Sequence, residues 1–225
     1  MENEKLRMES NFQGIIFDLD GTLADTEPFH MRAWLDVLAR QGLTFDEHWF
    51  EQWIGLPDRF LADSVVAEYG LKTSAMELRD MKSLAYQQIA AVSAQLYPSV
   101  EDGLKTLRIG LKLGIATNSS REDAAAVFTA TRVNNYFQTV VTADDVQQLK
   151  PSPDCYLLAA ERIGLEPARG LAVEDSVAGV QAAKKAGLYT LAVANSHSAE
   201  HLAEADRIFP NTERAIGWIL EHVKA

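Results

Sequence analysis

The chain has 225 residues, is 47% hydrophobic, and sets 21 lysines and arginines against 32 aspartates and glutamates for a formal net charge of −11. Such a composition can bury one large core or two smaller ones, and its acidity argues against nucleic acid or a membrane surface as partner, since both polyanions would be repelled. The single Cys155 excludes an internal disulfide, and no stretch combines the length and apolarity of a membrane span.

Residues 1–11 are charged and lack the apolar centre of a signal peptide, so they read as a loose tail on a cytoplasmic protein, expected to be a monomer. Apolar runs that suit buried strands then recur at residues 12–17, 111–116, 137–141, 171–173, 188–192 and, more weakly, 207–209. Helical patterns separate most of them. Ser99, Ser152 and Ser176 stand where N-caps would start three of these helices, and Gly187 closes the third. Alternating strands and helices predict an α/β fold, a Rossmann-like doubly wound parallel sheet with helices on both faces.

Residues 28–97 break that rhythm. They hold no convincing strand, and predict helices over 29–40 closed by Gly42, 46–54, 58–69 closed by Gly70, and 74–94. This stretch reads as an inserted α-helical cap subdomain, with residues 12–27 and 98–225 forming the core domain. Its exits lie near Glu27-Pro28 and Tyr97-Pro98, where proline restricts the backbone and suits a hinge.

Polar groups follow the strand runs repeatedly. Asp18-Leu19-Asp20-Gly21-Thr22 follows the first, Thr117-Asn118-Ser119-Ser120 the second, Lys150 the loop after the third, and Glu174-Asp175-Ser176 the fourth. Ligands of open α/β sheets bind beyond the carboxyl ends of the strands. The chemistry that uses these types together is phosphoryl transfer through an aspartyl-phosphate. A carboxylate attacking a phosphate brings anion to anion, so cations must screen the approach. Asp18 is the expected nucleophile, and Asp20 the acid that protonates the leaving oxygen and then the base toward water. Lys150 supplies positive charge, while Thr117, Asn118 and Ser119 offer hydrogen bonds to phosphate oxygens. Hard oxygen ligands from Asp18, Asp20, Glu174 and Asp175 suit Mg²⁺, with Glu174 either a ligand or a support for Asp175.

In these four motifs, ordered as Phe17-Asp18-Leu19-Asp20-Gly21-Thr22, Thr117, Lys150-Pro151-Ser152-Pro153-Asp154 and Val173-Glu174-Asp175-Ser176 with Gly179, the chain resembles the haloacid dehalogenase-like superfamily. The resemblance runs from Phe12 to the C-terminus. It implies a Mg²⁺-dependent phosphatase acting on a small phosphorylated metabolite, a sugar phosphate above all, with Asp20 reaching the metal through its backbone carbonyl. The insertion resembles the cap of the subgroup containing β-phosphoglucomutase, phosphoglycolate phosphatase and sugar-phosphate phosphatases, which closes over the site and selects the substrate. On that resemblance His30 and Trp34 would lie near the substrate, and Lys82 would bind a distal phosphate. Arg59 would do the same from a position farther from its glycine than the mutase pattern has it. A phosphomutase is the nearest rival, since it shares every core residue. A signalling receiver domain or a non-catalytic binding protein is less compatible with an inserted cap and intact motifs.

Overall fold

The structure, a computed structural model, describes residues 12–54 and 58–223. The expected tail, residues 1–11, lies outside them. Six parallel strands, β1 (Gly14–Phe17), β2 (Lys112–Ala116), β3 (Thr139–Val141), β4 (Gly170–Glu174), β5 (Tyr189–Val193) and β6 (Arg207–Phe209), form one sheet in the order β3-β2-β1-β4-β5-β6. The order reverses beside β1, which pairs with β2 on one side and β4 on the other. Every residue of β1, β4 and β5 is buried, as expected of strands covered on both faces.

Several strands begin one or two residues later than their apolar runs. The first apolar residue of a run instead closes the preceding turn. Leu111 N–H bonds Leu107 O at 3.0 Å, Phe137 N–H bonds Asn134 O at 3.2 Å, and Leu188 N–H bonds Ala183 O at 3.1 Å. Their side chains pack in the core, so hydrophobicity alone could not mark where the ladder starts.

Among the described residues four α-helices lie between β1 and α5 (Val100–Leu107): α1 (Glu27–Arg40), the short α2 (Glu47–Phe50), α3 (Asp58–Tyr69) and α4 (Ala75–Ser93). Ser74 and Glu77 make a reciprocal capping box at the start of α4, and Asp46 caps α2 through the Trp49 amide. Gly42 and Gly70 take φ of +83° and +62° just beyond α1 and α3, which is why glycine closes both. The two connections run antiparallel side by side. Ala24 bridges Leu96, and Tyr97 N–H donates to Leu23 O at 3.0 Å. On the core side follow α6 (Arg121–Thr131), α7 (Asp154–Arg162), α8 (Val177–Lys185) and α9 (Thr212–His222). Asp123 of α6 accepts from Ser83 and Gln87 of α4, each at 2.8 Å, fastening the inserted helices to the core.

Two of the expected serine caps are corrected. Ser99 has φ +65° and sends its hydroxyl to Glu213, while Ser152 donates to Asp154 and leaves Pro153 at the N-cap of α7. A serine before an acidic turn signals a cap only where its φ and ψ let the oxygen swing back over the first amides. Ser176 does so, accepting from Gly179 N–H at 3.0 Å.

Phe17 is fully buried at the end of β1 and meets the edge of Phe137 with ring centroids 5.9 Å apart. Phe17→Ala is expected to cost about 3–5 kcal/mol of stability, read as a lower urea midpoint with an unchanged denaturant slope.

Candidate active site

β1 ends at Phe17 in register with Val173 of β4, so Asp18 stands opposite Glu174, and its N–H donates to Val173 O at 3.0 Å. The following turn is tight: Gly21 has φ +74°, and a Cβ there would run into the Asp175 carboxylate. Thr117 leaves the end of β2, and Lys150 arrives from the loop after β3. The side chains of Asp18, Lys150, Glu174 and Asp175 are thereby gathered in the interior, each residue at most 8% exposed.

Lys150 is the centre of this cluster. Its Nζ donates to Asp18 Oδ1 and to Glu174 Oε1, each at 2.6 Å, and lies 5.0 Å from the centre of the Tyr156 ring. Its backbone N–H is held by Asn118 Oδ1 at 3.0 Å. Burial works against the ammonium, but Asp18 and Glu174 outweigh it and raise the Lys150 pKa. Burial raises the Asp18 pKa well above the carboxylate range, with Lys150 opposing and Glu174, Asp175 and Asp20 adding to it. Asp175 is pushed up to about 7, by burial first and Glu174 second, while hydroxyls of Ser196 and Thr22 pull the other way.

Glu174 and Asp175 differ in how much of their oxygen is free. Glu174 Oε1 accepts from Lys150 and from Tyr156 OH at 3.0 Å; Oε2 accepts from the Asp175 and Ser176 amides and the Ser176 hydroxyl, each at 3.0 Å. A carboxylate offers about four acceptor positions, so Glu174 has none left for a ligand. Asp175 Oδ1 accepts from Thr22 at 3.1 Å, and its side chain lines the cavity. One oxygen each from Asp18, Glu174 and Asp175 lies within 4.8 Å of the others.

Asp20 is held differently. Thr26 and Tyr86 donate to Oδ1 at 2.8 and 3.2 Å, and Ser119 and Thr117 to Oδ2 at 2.5 and 3.3 Å. All four partners are hydroxyls, which can donate or accept. Asp18, Asp20, Thr117, Asn118, Ser119, Lys150 and Asp175 line one cavity of about 510 Å³.

The inserted helices bring fewer of the expected residues to that cavity. His30 lines it, stacked on Tyr86 at 4.1 Å between centroids. Trp34 does not; it is 1% exposed and donates its indole N–H to Asp58 Oδ1 at 2.8 Å. Lys82 is 2% exposed and bonds Asp58 Oδ2 at 2.7 Å and His30 Nδ1 at 2.6 Å. Arg59 is exposed, with its guanidinium 4.9 Å from the centre of the Phe60 ring, and is not among the residues lining the cavity. All three expectations are thus corrected in position: helical spacing fixes a face, and here packing turns that face inward for Trp34 and Lys82. Residues 55–57 of the stretch leading to Arg59 lie outside the described residues.

Sequence reasoning missed Thr26, Tyr86, Glu27, Gln181 and His197, which meet Asp20 or line the cavity. Tyr86 had one usable signal, its place one helical turn beyond Lys82. Tyr156, which supports Glu174, lies one turn into α7 from the Lys150 loop.

Haloacid dehalogenase-like hydrolase is the description of the family model that matches residues 15–193. The chain belongs to this family. It is 34% identical over 186 residues to the fructose-1-phosphate phosphatase YqaB of Escherichia coli (strain K12), covering 80% of this chain and 96% of that protein. A structure described as a putative β-phosphoglucomutase from Thermotoga maritima superposes with a TM-score of 0.81 at 27% identity, covering 93% of this chain and 99% of that one. A mutant of CbbY from Rhodobacter sphaeroides in complex with xylulose-(1,5)bisphosphate gives a TM-score of 0.78 at 27% identity, covering 90% of this chain and 95% of that one.

Two outcomes follow for this haloacid dehalogenase-like hydrolase. A Cβ on Gly179 would collide with the Glu174 carboxylate, so Gly179→Ala is expected to displace Glu174 and cost about 1–3 kcal/mol. Thermal denaturation checks this, together with at least about a tenfold fall in turnover as Lys150 loses its seat.

Burial first and Lys82 second lower the His30 pKa to about 4 from an ordinary 6.5. The unfolded chain therefore binds more protons between these values. The stability this residue contributes is complete above pH 6.5 and is lost as pH falls toward 4. The unfolding free energy of the wild type is expected to fall more steeply across that window than that of His30→Gln, measured by urea titration at a series of pH values.

Proposed function

We propose that the chain is a Mg²⁺-dependent phosphatase that hydrolyses a small phosphorylated metabolite, a sugar phosphate, through an aspartyl-phosphate on Asp18. The observation that carries this reading is the arrangement at the end of β1. Asp18 is held by Lys150 at 2.6 Å, while Asp20, two residues on, rests only on hydroxyls.

Asp18, Asp20 and Asp175 line the inner end of the cavity, Glu174 is buried against Lys150, and among the described lining residues Lys150 holds the one ammonium. A phosphate dianion would be repelled from such a place unless further positive charge were present. Burial first, and the neighbouring carboxylates after it, raise the Asp18 and Asp175 pKa values. The free donors are hard oxygens, which suits Mg²⁺. Asp18, Asp175 and the Asp20 carbonyl are the groups that would hold it, and when bound it supplies the charge that lets phosphate oxygens approach Asp18. Glu174, with its oxygens filled, seats Lys150 instead.

In the first half-reaction an Asp18 carboxylate oxygen forms a bond to phosphorus as the ester P–O bond breaks. Asp20 gives its proton to the departing alcohol oxygen. In the second, Asp20 takes a proton from water, whose oxygen bonds phosphorus and releases Asp18 as carboxylate with inorganic phosphate. Lys150 offsets charge on the Asp18 and phosphoryl oxygens throughout. Thr117, Asn118 and Ser119 lie at the same end of the cavity, with Thr117 and Ser119 also steadying Asp20.

The assignment to a sugar phosphate rests on the 34% identity to a fructose-1-phosphate phosphatase. The structural likeness to a protein described as a putative β-phosphoglucomutase keeps the phosphomutase as the second reading. The two differ in whether water or a sugar hydroxyl reaches the phosphorylated Asp18.

Asp18→Asn is expected to reduce phosphate release from sugar phosphates with Mg²⁺ at least about a thousandfold without altering the circular dichroism spectrum. Steady hydrolysis by that variant would remove Asp18 as nucleophile. With β-glucose 1-phosphate as substrate, the wild type is expected to release inorganic phosphate. Accumulation of glucose 6-phosphate without it would establish the mutase instead.

A further inference from the structure

Beside the cap side of the cavity lies a second buried lysine, paired with Asp58 at the start of α3. Lys82, on α4, points toward the back of His30. Its Nζ lies 2.7 Å from Asp58 Oδ2, 2.6 Å from His30 Nδ1 and 5.4 Å from the centre of the Tyr86 ring. The lysine is 2% exposed and is not among the residues lining the cavity, so its charge is spent within the cap. Asp58 also accepts the Trp34 indole N–H, so α1, α3 and α4 are tied at one carboxylate.

The consequence falls on the cavity lining. Lys150 is the only lysine or arginine among the described residues that form it, and it belongs to the phosphoryl end. Toward the cap stand Glu27, His30 and Ile54, with Gln181 and His197 across from the core. Residues 55–57 read Gly-Leu-Pro and carry no ionisable side chain. Because a lysine ammonium donates and cannot accept, His30 accepts at Nδ1 and keeps its proton at Nε2. A second anionic group on a substrate would meet Glu27 and a neutral imidazole, whereas sugar hydroxyls can donate to a carboxylate and accept from an N–H.

We propose that Asp58 is a specificity-determining residue: by holding Lys82 within the cap, it restricts this enzyme to monophosphate esters of neutral, hydroxylated alcohols and excludes substrates bearing a second phosphate. The inference rests on the phosphatase reading above and narrows its substrate class. The fold itself imposes no such limit, since a relative of the same architecture holds a bisphosphate.

The test compares kcat/KM of the full chain with Mg²⁺ on glucose 6-phosphate and glucose 1,6-bisphosphate, with p-nitrophenyl phosphate as a neutral reference. The wild type is expected to favour the monophosphate by about tenfold or more. Asp58→Asn, which leaves Lys82 uncompensated behind His30, is expected to shrink that preference by about tenfold, and Asp58→Glu to restore it. A wild-type preference for the bisphosphate, or an unchanged ratio in folded Asp58→Asn, would overturn the role of Asp58 while p-nitrophenyl phosphate turnover upholds the phosphatase. Failure to hydrolyse any of the three would overturn both. If Asp58→Asn does not fold, the wild-type ratio decides.

Discussion

A buried ammonium shared by two carboxylates organises the carboxyl edge of this sheet. Lys150 sits 2.6 Å from both Asp18 and Glu174 in surroundings where any one of the three would be strongly disfavoured alone. The parallel register of β1 and β4 sets the two acids side by side. The cost of holding Glu174 ionised is offset by Tyr156, the Asp175 and Ser176 amides and the Ser176 hydroxyl, and α8 can start directly beneath that carboxylate because residue 179 is glycine. Deleting any of these supports would move Lys150, and with it the Asp18 oxygens.

Asp18 and Asp20 are separated by one residue yet face different partners, and the partners distinguish their chemistry. Ammonium and amide groups only donate, so they fix Glu174, and the oxygen of Asp18 that Lys150 holds, as acceptors. The hydroxyls around Asp20 can reverse their hydrogen bonds. Thr26, Thr117, Ser119 and Tyr86 can donate to an Asp20 carboxylate and, by rotating one O–H, accept from its protonated form. In the mechanism proposed above Asp20 gains and loses a proton, and such neighbours serve that better than a fixed cation. Tyr86 suits the task further, because burial and Asp20 raise its own pKa and keep the phenol protonated.

Much of this was legible in the sequence because strand ends advertise themselves. Asp18, Thr117 and Glu174 each follow an apolar run directly, and the parallel sheet brings those ends to one edge. Strand starts were less clear, since Leu111, Phe137 and Leu188 serve the core while their amides close the preceding turns. The division of labour between Glu174 and Asp175 depends on the close approach of α8, which no local pattern encodes. Trp34 and Lys82 illustrate a second limit. Their positions on α1 and α4 follow from helical period, but the direction of each face is set by Asp58, distant from both in sequence and brought near by packing.

The chain uses a Lys–Asp pair twice, with opposite results. At Lys150 the partner acid, Asp18, lines the cavity, and so does the lysine itself, leaving the pair able to act on a ligand. At Lys82 the ammonium is 2% exposed while the Asp58 side chain is 43% exposed, so the pair turns its acid outward and withdraws its cation. The same two residue types therefore place an ammonium at the wall of one site and keep it away from the wall of another. Net charge cannot distinguish these cases, because each pair contributes zero to the −11 of the chain. What separates them is which member faces open space. A strand-end loop presents Lys150 to the crevice, whereas α1, α3 and α4 close around Lys82. On the phosphatase reading proposed above, anion recognition in this acidic protein is consequently local, confined to the end of the cavity that Lys150 lines.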